Sequence, residues 1–321
     1  MKKKLLKFTK TFLPLFLGVF LIWYSLSSAT PGEREELWTN IKLAEMEWVV
    51  LSVFFGILSH LSRAYRWKYL LEPLGYRPQL TNSFMAVMGG YLANLGVPRS
   101  GEVLRAATVS TYENIPFDKA FGTIVSERIA DVIMLLLITL FGFLIQTESL
   151  ITYFSENEIN PFISLGLLLL LVCFGIIFLN LIRKSTHPLM VKIREFAVGL
   201  LEGMRSILKM KHKKGFLLHT IFIWVMYLAM FYVIKYALPE TESLTIAGFM
   251  AAFIVGSFAI STTNGGIGVY PIAMGAVLLL FGINQQAGEA FGWIMWGSQT
   301  LMVIILGGLS LLFLPVYNQK K

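Results

Sequence analysis

Arg99, Glu102 and Arg105 recur at intervals of three in and just beyond the stretch Asn94-Leu95-Gly96-Val97-Pro98-Arg99-Ser100-Gly101-Glu102, which interrupts an otherwise apolar chain. At helical spacing, residues three apart are neighbours, so the three charges are expected on one flank. Guanidinium forks match phosphate oxygens in a planar, two-pronged way. A carboxylate between two of them would orient and partly neutralise them while no ligand is bound. The chemistry on offer is therefore anion binding, with Asn94 as a further headgroup-binding candidate. A cytoplasmic loop with ordinary ion pairs would carry the same residues. Depth decides between the two readings, because a charge at the bilayer centre costs at least roughly 2.5–3.5 kcal/mol.

A second interruption reads Thr262-Thr263-Asn264-Gly265-Gly266-Ile267-Gly268-Val269-Tyr270-Pro271. Gly265, Gly266 and Gly268 permit backbone conformations closed to other residues, and Pro271 suits the first turn of a new helix. A helix N-terminus there would aim free N–H groups at an anion. Glycines that only permit close packing are the alternative. Glu127, Arg128 and Asp131 form a further charged set at helical spacing. They fit either a proton or ion relay or an ion-pair network clamping their helix to the arginines of the first interruption; with both signs present, the clamp is favoured. His60, Arg63, Arg66 and Trp67 close an apolar run. Trp67 fits an interfacial belt and the arginines fit snorkelling positions, with Arg66 lining the same vestibule as the alternative.

No catalytic constellation is visible: no Ser/His/Asp set, no paired metal-binding aspartates, no phosphate loop with lysine. The four histidines have no ligand spacing, and the single Cys173 excludes an intrachain disulfide or a cysteine-based metal site. No metal or cofactor is expected, and the protein is not expected to be an enzyme.

These residues must be positioned by membrane helices. Of 321 residues, 56% are hydrophobic and only 14% charged, against about 25% charged in soluble chains. The net charge of +8 lies in loops between apolar runs, which reads as topology and anionic headgroups rather than nucleic acid. Six segments, at roughly 8–27, 48–71, 120–146, 161–182, 215–238 and 290–314, are long enough to span. The first is read as an anchor rather than a cleaved signal. Five lysines precede residue 11, nine Lys/Arg fall in 183–214, and 147–160 holds three Glu and no Lys or Arg. The positive-inside rule then places both termini, 63–77 and 183–214 in the cytoplasm.

That topology forces the first interruption, about 80–112, to enter and return on the cytoplasmic side as a hairpin. The second, about 244–283, becomes a hairpin entered from outside, or else two full spans. Opposed hairpins suggest an inverted repeat with tips near the midplane. Within 187–210, apolar and basic residues take opposite sides of a helix, which reads as an amphipathic helix on the cytoplasmic interface: a positive-inside loop or an anionic-lipid contact. The expected fold is all-α: one polytopic membrane domain over 1–321, a bundle of about six spans plus two re-entrant or short helical hairpins.

Arg66-Trp67, Asn94…Pro98-Arg99-x-Gly101-Glu102-x-x-Arg105, Glu127-Arg128-x-x-Asp131 and Gly265-Gly266-Ile267-Gly268-Val269 occur in an order that resembles the transmembrane-region family of lysylphosphatidylglycerol synthases. Its stand-alone members are called flippase-like proteins. In the family the last motif often has a proline-rich entry and a following glutamate. Here Ser261, Thr263 and Asn264 replace that entry, and Tyr270-Pro271 stands where the acid is often found. The resemblance implies lipid translocation, an activity that in fused members accompanies a separate aminoacyl-transfer domain. The chain stops six residues after Pro315, so that domain is expected to be absent here.

The expected function is a lipid transporter of the bacterial inner membrane, acting on a membrane phospholipid or polyprenyl-phosphate-type lipid. Arg99 and Arg105 would hold the headgroup, Glu102 would be counter-charge, and Gly265, Gly266 and Gly268 would give backbone donors. Arg66, Glu127, Arg128 and Asp131 would form the supporting network. The alternatives are a membrane subunit of a glycosyl- or lipid-transferase system working with a separate soluble lipid-modifying enzyme, and a non-catalytic scaffold.

Overall fold

A computed structural model describes residues 29–145, 210–263 and 265–319, together with Phe20, Trp23, Ser27 and Val191. The expected first anchor, the span at 161–182, the interfacial helix at 187–210, Cys173 and Asn264 lie outside the described residues. The described residues are helices and their connecting turns, with no strand among them. They comprise α1 (Pro31–Leu43), α2 (Met46–Leu71), α3 (Leu80–Gly96), α4 (Ser100–Tyr112), α5 (Phe117–Ile145), α6 (Lys213–Ile234), α7 (Ile246–Thr262), α8 (Val269–Leu279) and α9 (Gln285–Asn318). The chain divides into two compact units. One joins Met1–Arg128 to Lys211–Lys321; the other is Ile129–Met210, where the described residues continue α5.

Four helical stretches are long and apolar enough to cross a membrane: Met46–Leu74, Phe117–Ile145, Lys213–Ala237 and Gln285–Asn318. They match four of the six expected spans. The pattern of exposure is that of a protein with lipid as solvent. Leu136, Leu140 and Phe141 on α5, Leu218 and Ile221 on α6, and Leu301 and Leu312 on α9 are exposed, while Arg63, Arg66, Arg105 and Glu127 are buried. Polar groups turned inward and apolar ones outward are what a hydrocarbon surround selects.

The last span begins earlier than its apolar run. Asn284 caps α9 by accepting from the Ala287 N–H at 2.7 Å, so residues 285–289, ahead of the expected span at 290–314, form the first turn and more. Close backbone approach then docks this end on α8. A methyl at Gly292 would meet Pro271 Cα at 2.6 Å, and one at Gly288 would meet Gly275 Cα at 2.9 Å. Small residues set such crossings where lipid provides no hydrophobic drive. Elsewhere polar side chains join spans: Ser52 Oγ donates to the Met230 carbonyl at 2.8 Å and accepts from Gln299 Nε2 at 3.1 Å. An edge-to-face aromatic group, with Phe231 5.1 Å from Phe291 and 5.7 Å from Phe253, closes the core between α6, α7 and α9.

Each interruption is a pair of packed helices around a tight turn. In the first, α3 and α4 are joined by Val97–Arg99 only. Gly90 and Gly101 face each other across the pair, so that a methyl on Gly101 would run into the Gly90 carbonyl and Asn94. In the second, Gly265, Gly266 and Gly268 turn the chain with φ of +65°, +84° and +71°, and α8 follows with Pro271 in its first turn. The tips of the two pairs meet: a methyl on Gly265 would lie 3.4 Å from Leu95 Cδ2.

Candidate functional site

Glu127, on α5 and fully buried, is the point on which three helices converge. From α4, Arg105 grips it with both arms, Nη1 to Oε1 at 3.0 Å and Nη2 to Oε2 at 2.8 Å. From α2, Arg63 Nη1 donates to Oε1 at 2.7 Å, and Arg66 Nη2 stands 3.4 Å from the same oxygen. Helix α6 supplies neutral acceptors: Thr220 Oγ1 takes the Arg66 Nη1 bond at 2.9 Å, and Tyr227 OH lies 3.2 Å from Arg63 Nη2. Burying such charges is tolerated only when they are paired and hydrogen-bonded.

Trp67 fixes the plane of the Arg105 guanidinium. Its ring centroid lies 3.9 Å from Arg105 Cζ, a cation–π distance, while its Nε1 donates to Thr123 Oγ1 at 2.9 Å. Trp67 is fully buried, which corrects the expectation of an interfacial belt residue. Arg63 and Arg66 are likewise buried rather than snorkelling. The physical reason is that α2 turns this face to α4, α5 and α6, where Glu127 offers a partner that headgroups would otherwise provide.

A small cleft, partly open to its surroundings, lies against this cluster. It is lined by Val87, Gly90, Tyr91, Asn94, Gly101, Glu102, Arg105 and Arg128. Arg128 bridges its mouth, with Nε 3.7 Å from Glu102 Oε1 and Nη2 3.7 Å from Glu127 Oε1. The second oxygen of Glu102 and the Nε of Arg105 are buried without a hydrogen-bond partner. Such groups call for an explanation, since most buried polar atoms are paired. With the side chains as they stand, the enclosed room is about that of one water molecule, so a larger anion would enter only as the Glu102–Arg128 pair parts.

The expected site residues separate into three groups. Glu102, Arg105, Arg128 and Asn94 come together at the cleft, and Arg66 and Glu127 stand behind it. Arg99 does not join them. It precedes α4 in a left-handed conformation (φ +62°), is exposed and forms no ion pair among the described residues. Helical spacing fails for it because the helix starts one residue later. The counter-charge of Arg105 is Glu127, not Glu102, which pairs with Arg128 instead. Asn94 Oδ1 is occupied in accepting the Gly101 N–H at 2.7 Å, capping α4. Two of the expected donors in the second turn are also occupied: Gly265 N–H bonds the Thr263 carbonyl and Gly266 N–H bonds Thr263 Oγ1, both at 3.0 Å. Asp131 lies one turn beyond Glu127, in the second unit. Trp67 and Arg63 both fall outside the expected site residues; for Arg63 a signal was at hand. Its spacing of three from Arg66 placed both on one helix face and was the available signal.

Among the described residues the close donors to Glu127 are guanidiniums, which makes this carboxylate their shared counter-ion. Among the described residues no three His, Cys, Asp or Glu side chains gather as a metal site. Arg105 and Arg128 are the cations that line the cleft.

The family model described as "Lysylphosphatidylglycerol synthase TM region" matches residues 11–308. A UPF0104 membrane protein of Methanocaldococcus jannaschii is 36% identical over 106 residues, which cover 32% of this chain and 32% of that protein. The chain thus matches about a third of that relative's length. No solved structure matches. With the model covering nearly the whole sequence and the multi-span helical architecture in agreement, the chain belongs to the lysylphosphatidylglycerol synthase TM region family of membrane proteins.

Proposed function

We propose that the protein binds the phosphate-bearing headgroup of a membrane lipid in the cleft beside Arg105 and carries it between leaflets. The observation that carries this reading is Arg105 itself: buried, gripped by Glu127, stacked on Trp67, and forming a wall of a small, partly open cleft. Ionisable groups inside a membrane are expensive and mark pathways or ligand sites by default. Glu102 and Arg128 close the mouth with a long ion pair, which an entering phosphate would exchange for its own contacts with Arg128. Phospholipids and polyprenyl phosphates share the required chemistry.

Topology supports the same reading. The helices of the first pair have 17 and 13 residues, ~26 and ~20 Å at 1.5 Å per residue, short of the ~30 Å hydrocarbon core. Those of the second pair have 17 and 11, ~26 and ~17 Å. Both pairs therefore fit re-entrant hairpins, entered from opposite faces, with meeting tips and an inverted repeat. Lys211, Lys213 and Lys214 open α6 beside the end of α2, which favours the cytoplasm for that end of a bacterial inner-membrane protein with both termini inside.

Photo-crosslinking tests the binding half. A phospholipid with a photoreactive group near its phosphate, incorporated with the purified protein in nanodiscs, should label peptides of α3 and α4 that line the cleft. Arg105→Ala should remove that label. Labelling confined to the outer faces of α5, α6 and α9 would refute the cleft as the headgroup site.

A further inference from the structure

Helix α2 carries a second constellation on a face that the Glu127 cluster does not use. Ser62, Tyr65 and Tyr69 follow one another at helical spacing and meet His219 and Gly215 of α6. Tyr69 lies so close over α6 that a methyl on Gly215 would stand 2.7 Å from its Cζ. His219 is pinned by a 2.8 Å hydrogen bond between its Nδ1 and Ser62 Oγ. Its ring lies 4.8 Å from that of Tyr65 and 6.0 Å from that of Tyr69, and the His212 ring is 6.2 Å from Tyr69. Lys68 extends across these rings, with Nζ 3.5 Å from the Tyr65 centroid and 5.1 Å from that of Tyr69.

A lysine ammonium is ordinarily a mobile, strongly hydrated charge on a flexible stem. Here two aromatic faces hold it in place. The nearby acid is Glu72, which Arg77 pairs at 2.8 Å and His212 approaches at 3.8 Å. Exposed Lys213 and Lys214 continue the positive surface into the first turn of α6. The patch lies where one candidate span ends and another begins, the level at which tyrosines and lipid phosphates meet.

We propose that Lys68, held by Tyr65 and Tyr69 and flanked by Lys213 and Lys214, docks the phosphate of an anionic phospholipid in the adjoining leaflet, at a site separate from the Arg105 cleft. The lipid's headgroup lies against the ammonium groups and its chains run down the exposed apolar face of α6, past Leu218 and Ile221. The site anchors the α2–α6 end at the membrane boundary. It does not depend on the transport reading.

Native mass spectrometry of protein released from nanodiscs of phosphatidylcholine with a minor share of phosphatidylglycerol tests it. The wild type should retain phosphatidylglycerol preferentially. Lys68→Gln combined with Tyr65→Leu should weaken that retention about fivefold, the weight of one lysine at an anionic surface, while Lys68→Arg should keep it; the same double substitution made in an Arg105→Ala background should weaken what retention remains there by a similar factor. A thermal melt of each variant reports folding separately. Unchanged retention in a folded Lys68→Gln, Tyr65→Leu double variant would overturn the assignment. Absence of any further weakening by the double substitution in the Arg105→Ala background would overturn the separateness of the two sites, and displacement by millimolar inorganic phosphate would overturn a lipid as the ligand.

Discussion

Glu127 holds Arg63, Arg66 and Arg105 within hydrogen-bonding or ion-pairing reach, so its charge matters more than any one arginine. Glu127→Gln leaves buried guanidiniums without the carboxylate that compensates them, a class of change that costs about 3–5 kcal/mol. A clear drop in thermal midpoint in detergent is expected; an unchanged midpoint would show that the cluster is not held by this charge. Trp67 and Arg105 should be coupled by about 0.5–2 kcal/mol in a double-mutant cycle of Trp67→Leu and Arg105→Ala, read by stability. Zero coupling would contradict the stacking. The charged residue types and much of their spacing were legible in the sequence. What was not legible was depth and direction. Trp67 next to arginines at a span's end reads as interfacial from sequence, and only the neighbouring helices turn it inward. Arg99 looked equivalent to Arg105 because periodicity assumes a helix that had not yet begun.

At the scale of elements, the cleft exists because α3 and α4 approach backbone to backbone. Gly101→Ala should force them apart, since its methyl has only the Gly90 carbonyl and Asn94 to meet; overpacking of this kind costs about 1–3 kcal/mol. Gly96→Ala is the control, with nothing within 4 Å of its methyl. Thermal melts of the two variants should diverge, and equal stability would contradict the tight crossing. The helix pair at 80–112 could be read from loop charge and from lengths too short to span. The start of α9 could not be read in the same way. Gln285 and Gln286 look like loop residues, and it takes the Asn284 cap and the small-residue contacts with α8 to make them helix. The second turn offered three glycines as donors, but Thr263 takes the amides of two, a local bond that spacing does not reveal.

For the whole molecule, an outward apolar surface and an inward charged cluster set a direction as well as a site. In a variant lacking Cys173, the one native cysteine, Glu36→Cys and Lys214→Cys should react with an impermeant thiol reagent from opposite sides of intact spheroplasts. Lys214→Cys should react only after permeabilisation. Labelling of both from one side would contradict the proposed topology. Passage of a lipid headgroup between leaflets by way of Arg105 can be measured as the rate at which a labelled anionic phospholipid changes leaflet in liposomes reconstituted with wild type, Arg99→Ala or Arg105→Ala at equal protein density. Wild type should exchange faster than protein-free liposomes, exposed Arg99→Ala should change the rate modestly, and Arg105→Ala should fall to the protein-free rate; wild-type exchange in a folded Arg105→Ala protein would contradict a route through Arg105.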